Sequence, residues 1–386
     1  MESRHRAWAE IDLEAFRRNL RRSRQLAGKA AVWPVLKANA YGHGAVAIAR
    51  VCAQESVARI GVGDSSEALQ LRHSGVRLPL LVLGAAIDAE IPALVEHQIE
   101  IGVHSESRAR ALAKLAENQG GRLGVHLKVD TGMGRLGVRP EAVLRVARAI
   151  LEEPALELRG LMTHFSSSRG AQDPTTEGQQ ALFFAAASEL RQTLGVTPLL
   201  HCANSAAVFS ALPQLGDAVR PGIALYGILP GDLEHPSGLE EVLSLHTQVV
   251  FLKDVPAGTA IGYDSRWTSH RPTRIATLPM GYNDGLPYTL GQHGQGQVLV
   301  RGQRCPVVGA VSMDYCTIDV GHVPGVAVGD RVTLIGPSGR DRLRAHDLAS
   351  AAGTIPYEIT CRLGARVQRV YLGGQQPAPT PAPVAT

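Results

Sequence analysis

The chain has 386 residues, of which 45% are hydrophobic, 19% charged and 4% aromatic, the balance of a folded globular protein whose core is built on Ala, Val and Leu. Lys plus Arg number 39 against 35 Asp plus Glu, and the resulting +4 is too small and too widely spread along the chain to describe a nucleic-acid-binding protein. The five Cys, at 52, 202, 305, 316 and 361, have no CxxC or zinc spacing and predict reduced thiols in a cytoplasm with no metal. The N-terminal MESRHRAWAEIDLEAF lacks the apolar stretch of a secretory signal, and no run of ~18 apolar residues predicts a membrane span.

Eight short apolar runs follow one another: Ala30–Leu36, Ala58–Val62, Leu78–Gly84, Ile99–Val103, Leu123–Val129, Leu156–Met162, Pro198–Cys202 and Ala218–Tyr226. Ala-rich stretches at helical spacing separate them. Ser65-Ser66-Glu67 and Ser105-Glu106-Ser107 read as helix starts, and Pro140 suits a first helical position. Eight such units over residues 1–232 match the count of a (β/α)8 barrel. A doubly wound open sheet, whose strands would look the same, stays open at this point.

The character changes after Leu229-Pro230-Gly231-Asp232. From Ser244 to Ile335 the chain shows β-branched alternation with Gly and Pro punctuation, which predicts an antiparallel β-domain over 233–372. One short helix is expected near Arg344–Ala352, then a last strand at Ala365–Leu372. The Pro/Ala-rich tail 373–386 is predicted to be disordered. The fold class expected is therefore α/β, an N-terminal (β/α)8 barrel followed by a mostly antiparallel C-terminal β-domain.

In a barrel, reactive groups cluster just past the strand ends. Lys37 closes the first run, Lys128 and Arg135 flank the fifth, and His164 ends the sixth. Asn204-Ser205 follows the seventh, and Arg220-Pro221-Gly222 lies on the eighth. An ammonium at the end of an apolar strand is costly to bury unless it is used, so Lys37 is predicted to be a buried amine. Desolvation would lower its pKa and make it a nucleophile toward carbonyls. Gly132-Met133-Gly134-Arg135-Leu136-Gly137 matches the dinucleotide fingerprint G-x-G-x-x-G. In that motif the helix opens among the glycines, whereas here Val138-Arg139-Pro140 intervenes, so a turn that aims Arg135 is the better account.

VLKANAYGHG (35–44), HLKVDTGMGRLG (126–137), THF (163–165), HCANSAA (201–207) and VRPGIALYG (219–227) resemble the alanine racemases. So do IGYDS (261–265), PMGYNDG (279–285), SMDY (312–315) and IPYE (355–358), in the same order along Trp8 to Leu372. The resemblance implies a pyridoxal 5′-phosphate (PLP) enzyme that interconverts L- and D-alanine for peptidoglycan, working as a cytoplasmic homodimer with shared sites.

By the same resemblance Lys37 forms the Schiff base and serves one face of the substrate. Tyr263, donated by the partner subunit, serves the other face, helped by His164 and Arg220. Arg220 is implied against the ring nitrogen, where a guanidinium cannot accept the proton that a carboxylate would. Ser205, Gly222, Ile223, Tyr41 and Tyr357 are implied around the phosphate, with Asn204 in support. Arg135 and the backbone of Met313 are implied at the substrate carboxylate. Lys128, which is carbamylated in many relatives, would orient Arg135, Asp314 would be a second partner for it, and Tyr282 would narrow the channel. The pattern departs at Ser166-Ser167-Ser168-Arg169, where the family carries an acidic residue, and this leaves substrate breadth open. The alternatives are a racemase of broader specificity, a PLP-dependent decarboxylase, and a single-barrel PLP-homeostasis protein.

Overall fold

The structure is a computed structural model, and it describes residues 5–167, 169–229, 238–291 and 295–373. It separates into two compact units, Ala15–Ala40 with Ala45–Glu240, and Met1–Glu14 with Tyr41–Gly44 and Glu241–Thr386. The first strand, β1 (Ala7–Asp12), belongs to the second of these.

The first unit is the barrel. Its strands are β2 (Ala31–Val32), β3 (Ile60–Val62), β4 (Leu80–Val82), β5 (Glu100–Val103), β6 (Leu123–Lys128), β7 (Leu156–Met162), β8 (Leu199–His201) and β9 (Ala218–Val219). Strands β3 to β8 pair in parallel and in chain order. Strand β2 pairs with β9, and a Val35–Gly61 bridge ties the β2 segment to β3. The ring closes where Asp217 N donates to Leu200 O at 2.7 Å and Arg220 N to Ala203 O at 2.8 Å. This unbroken sequential order decides for the barrel, because a doubly wound sheet reverses direction part-way. Each of the eight predicted apolar runs contains one of these strands. Ile60, Val62, Leu80, Val82, Val103, Leu127 and Leu161 are all buried, as strands covered on both faces must be.

The helices start where side chains can take up free backbone amides. Asp64 accepts from Glu67 N at 3.0 Å to cap Ser65–His73, and Ser105 accepts from Arg108 N at 3.1 Å to cap Glu106–Asn118.

The second unit carries a sheet of ten strands among the described residues. Its path runs through nine of them, Phe251–Val255, Thr273–Leu278, Cys316–Asp319, Gln303–Val308, Gln297–Val300, Arg331–Ser338, Leu243–Gln248, β1 and Gln368–Leu372, and the tenth, Asp341–Leu343, pairs off the path with Arg331–Ser338. Neighbours are antiparallel except the last pair, in which β1 and Gln368–Leu372 run parallel. Two features depart from expectation. Residues 7–12, placed with the barrel by the 1–232 boundary, instead pair Ala7 with Thr247 and Trp8 with Gln368. A second short helix, Pro356–Cys361, follows the expected one at Ala345–Ala352. The predicted tail, apart from Gly373, and the 230–232 end of the domain boundary lie outside the described residues. No helix among the described residues is long and apolar enough to cross a membrane.

Candidate active site

Past β2 the chain stays buried through Leu36, and Lys37 then leaves the wall at the C-terminal mouth of the barrel. Ala38, Asn39, Ala40 and Tyr41 follow with φ of +52°, +52°, +55° and +52°, one turn of left-handed helix. L-residues resist that conformation by ~1–2 kcal/mol each, so the surroundings must hold it. Glu67 does much of this. One carboxylate oxygen accepts from Ala38 N at 2.5 Å and Asn39 N at 3.4 Å, and the other accepts from Gly63 N at 2.7 Å. Asn39 Oδ1 adds a bond from Ala45 N at 2.8 Å. A Cβ at Gly63 would stand 3.1 Å from the Glu67 carboxylate and 3.3 Å from the Lys37 Cβ, so a side chain there would press on both.

The expectation of a buried amine needs correction, because Lys37 is exposed. The reason is positional: the run that buries Val35 and Leu36 ends one residue earlier, and the left-handed turn carries Lys37 into the mouth. The charge of Lys37 is nonetheless felt by Lys128 and His164.

Lys128, the last residue of β6, is buried. Burial pushes its ammonium down to about 8, and the charges of Arg220 and Arg135 act in the same direction. His164, just past β7, is held well below the ordinary imidazole range, first by burial and then by Arg220, Lys37, Lys128 and Arg135. A neutral imidazole thus stands among four cationic side chains. Arg135 is exposed on its loop. Gly132, Met133 and Gly134 all donate backbone amides to the Asp130 carboxylate at 2.9–3.0 Å. Gly132, Gly134 and Gly137 have φ of +135°, +70° and +131°, which Gly alone adopts readily. The chain's own carboxylate fills the loop that a pyrophosphate would fill in a dinucleotide fold, and the helical turn begins later, at Pro140.

Arg220 is buried and heavily engaged. Nη2 donates to Thr163 O at 2.6 Å, and Nη1 donates to His201 Nδ1 at 2.8 Å and to the His201 carbonyl. Burial lowers its pKa to about 10, which still leaves it charged near neutrality. Beside it, the buried Ser205 Oγ accepts from Gly222 N at 3.0 Å and Ala224 N at 3.4 Å. Asn204 caps the short helix Ser205–Phe209 through Ala207 N at 3.0 Å, and Ile223 opens a buried turn, Ile223–Tyr226. Ser166 N and Oγ both donate to Gln179 Oε1 at 3.0 Å, while Ser168 lies outside the described residues.

The remaining predicted residues belong to the other unit. Tyr41 and Tyr357 are ring neighbours at 6.0 Å, and burial pushes the Tyr357 phenol up to about 12. Tyr263 is 71% exposed on the turn Tyr263–Ser265, and Met313 and Tyr282 are exposed as well. Asp314 accepts from Arg366 Nη1 at 2.7 Å through one carboxylate oxygen. Arg366 also grips the buried Asp284 at 2.9 and 3.0 Å, and Asp284 accepts from Gly281 N at 2.9 Å. Tyr282 N and Asn283 N donate to the carbonyls of Ser312 and Met313 at 3.0 and 3.2 Å. One arginine thereby welds the Tyr282 and Met313 loops together.

Known proteins bear on this geometry. Residues 11–230 match the alanine racemase N-terminal domain model, and residues 242–371 match the alanine racemase C-terminal domain model. The chain belongs to the alanine racemase family. The alanine racemase of Methanococcus maripaludis is 38% identical over 95% of this chain and 99% of its own. That of Desulfovibrio desulfuricans is 41% identical over 95% and 98%. Among solved structures, the alanine racemase from D-cycloserine-producing Streptomyces lavendulae superposes with a TM-score of 0.91 at 33% identity, over 97% of this chain and 99% of that one. The Bartonella henselae alanine racemase, solved with covalently bound pyridoxal phosphate, gives 0.84 at 31% identity, over 95% and 99%.

The donor set fits that cofactor. Within the barrel there is an amine for an aldehyde, a hydroxyl with adjacent backbone amides for a phosphate, and a fixed guanidinium for a ring nitrogen. Sequence reasoning missed Glu67, which reads there as a helix-start residue, and Arg366, which carries no motif. It also gave no role to His126 and His201, although both stand inside apolar runs and so had to be satisfied internally.

Proposed function

We propose that this enzyme interconverts L- and D-alanine on pyridoxal 5′-phosphate by two-base proton transfer at Cα, with Lys37 serving one face and Tyr263 of the partner subunit the other. The observation that carries this reading is the convergence of Lys37, Lys128, His164 and Arg220 on one barrel mouth, while Tyr263 and Met313 stand exposed on the β-unit. A homodimer with shared sites gives those two exposed side chains their place.

When bound, the cofactor supplies an electron-withdrawing ring conjugated to the amino acid, which lets the Cα proton leave. Lys37 would hold the cofactor through its aldehyde carbon; once the substrate's amine takes its place at that carbon, the freed lysine amine would act as the base on its own side. Ser205, with the backbone of Gly222 and Ile223, holds the phosphate, supported by Asn204 and by the phenols of Tyr41 and Tyr357. Arg220 has no acceptor atom and stays charged, so against the ring nitrogen it would leave that atom unprotonated and restrain the ring's electron withdrawal. That favours prompt return of the proton over competing chemistry. A decarboxylase of this barrel class would place a carboxylate where Arg220 stands. Arg135 holds the substrate carboxylate with two parallel donors, assisted by Met313 N–H of the partner, and Tyr282 narrows the approach. The D-alanine formed would supply peptidoglycan in the cytoplasm. The buried thiols Cys52, Cys202, Cys305 and Cys316 suit a reducing compartment.

Lys128 is proposed to be carbamylated. Its uncharged amine adds to CO2, forming an N–C bond and releasing one proton, and the new anion lies among the cations that now repel the ammonium. With a pKa of about 8, the reactive free base grows from about a tenth at pH 7 to about nine-tenths at pH 9. A carbon-13 carbamate signal should therefore rise over that range at fixed dissolved 13CO2 and vanish in Lys128→Arg. No signal at pH 9 would remove the modification.

The activity itself is tested by incubating each alanine enantiomer with the enzyme in D2O. Loss of the Cα proton together with loss of optical rotation is expected from either side. Decarboxylation, or no exchange at all, would overturn the assignment.

A further inference from the structure

A line of buried polar groups runs through the barrel from mouth to floor. Arg220 Nη1 lies 2.8 Å from His201 Nδ1, His201 Nε2 lies 2.8 Å from His126 Nδ1, and His126 Nε2 lies 2.8 Å from Glu100 Oε2. Both histidines are fully buried and meet edge to face at 4.9 Å. Glu100 opens β5 at the N-terminal end of the barrel. There Arg59 binds it at 2.8 Å while stacking 4.3 Å from the Trp33 ring. Glu100, Arg59 and Arg122 line a cavity of about 690 Å³ at that floor, at the opposite ends of the strands from Lys37.

The chemistry of the two ends sets the direction of every bond between them. A guanidinium can only donate, so His201 Nδ1 must accept and its proton must sit on Nε2. His201 Nε2–H then donates to His126 Nδ1, which leaves the His126 proton on Nε2, facing a carboxylate that can only accept. Both rings are neutral and both are Nε2–H tautomers. A further proton on either ring would set donor against donor. Burial depresses both imidazoles, consistent with that neutrality.

We infer that Glu100 is a positioning residue for Arg220, acting across the barrel by fixing the single hydrogen-bond direction of the His126–His201 pair. Each donated bond raises the basicity of the next acceptor, so the remote carboxylate strengthens the bond that orients the guanidinium. Its catalytic consequence rests on the proposed placement of Arg220 at the cofactor ring.

Glu100→Gln tests it with little change of shape. A Gln amide facing His126 would force that ring to accept, reverse the chain, and bring a His201 N–H against Arg220. If the amide turned the other way it would face Arg59. Nitrogen-15 spectra of histidine-labelled wild-type protein, with and without cofactor, should show both rings as Nε2–H. In Glu100→Gln, part of the His126 signal should move to the Nδ1–H tautomer, and kcat should fall about 10-fold with KM nearly unchanged. An Nδ1–H tautomer at either histidine of the wild type overturns the inference even if the variant does not fold. So does a Glu100→Gln enzyme with wild-type kcat alongside an impaired Arg220→Lys. Wild-type kcat in Arg220→Lys would instead overturn the placement of Arg220, whatever the tautomers.

Discussion

Replacing Lys37 with Ala is expected to lower racemisation by about 10³-fold or more in both directions, because one side chain is asked both to hold the cofactor and to move a proton. The fold should survive. Lys37 is exposed, and the hydrogen bonds that hold its turn come from the backbone amides of Ala38, Asn39 and Gly63, none of which needs the lysine side chain. Thermal unfolding close to wild type, with loss of the lysine-dependent visible absorbance and of Cα exchange in D2O, is the expected pattern. Racemisation that persisted at more than a few per cent would remove Lys37 from the chemistry.

Replacing Tyr263 with Phe is expected to cost about 10²–10⁴-fold in kcat/KM, the range ascribed to a positioned acid or base. The two enantiomers have equal free energy in water, so the equilibrium constant is unity and kcat/KM must fall by the same factor in both directions. The asymmetry appears elsewhere. With the phenol gone, Lys37 can still remove the Cα proton of the enantiomer that faces it and return a solvent deuteron to the same side. One enantiomer should therefore keep exchanging in D2O without inverting, while the other exchanges slowly. Equal exchange of both enantiomers at wild-type rates would mean that another group, or water, serves the second face. Tyr263 is 71% exposed and its loss opens no cavity, so stability should change by less than about 0.5 kcal/mol.

The barrel was readable from sequence because its strands are buried on two faces, which turns each into a continuous apolar run between helical stretches. Strand β1 was not. AWAEID is short, and its partners sit at Leu243–Gln248 and Gln368–Leu372, so nothing local announces the pairing. The helix Pro356–Cys361 is only six residues long, too short for its periodicity to speak. At the site, the residue types that stand out at strand ends, Lys37, Lys128, His164, Ser205 and Arg220, were legible from position alone. The exposure of Lys37 was not, because it depends on a left-handed turn, and Ala-Asn-Ala-Tyr contains no glycine to signal one. Glu67 shows the same limit. Three residues past Asp64 it reads as a helix-start acid, yet its carboxylate turns back to Gly63, Ala38 and Asn39. Arg366 binds Asp284 and Asp314 from 82 and 52 residues away, a pairing only the folded chain reveals.

Mixing the two inactive variants tests the shared two-base site most directly. If the lysine of one chain works with the tyrosine of its partner, co-expressed Lys37→Ala and Tyr263→Phe chains form mixed dimers in which one site keeps both groups and the other has neither. Random pairing makes half the dimers mixed, so activity should recover to about a quarter of wild type, far above either variant alone. Activity no greater than the average of the two separate variants, in dimers shown to be mixed, would contradict a site built from both subunits.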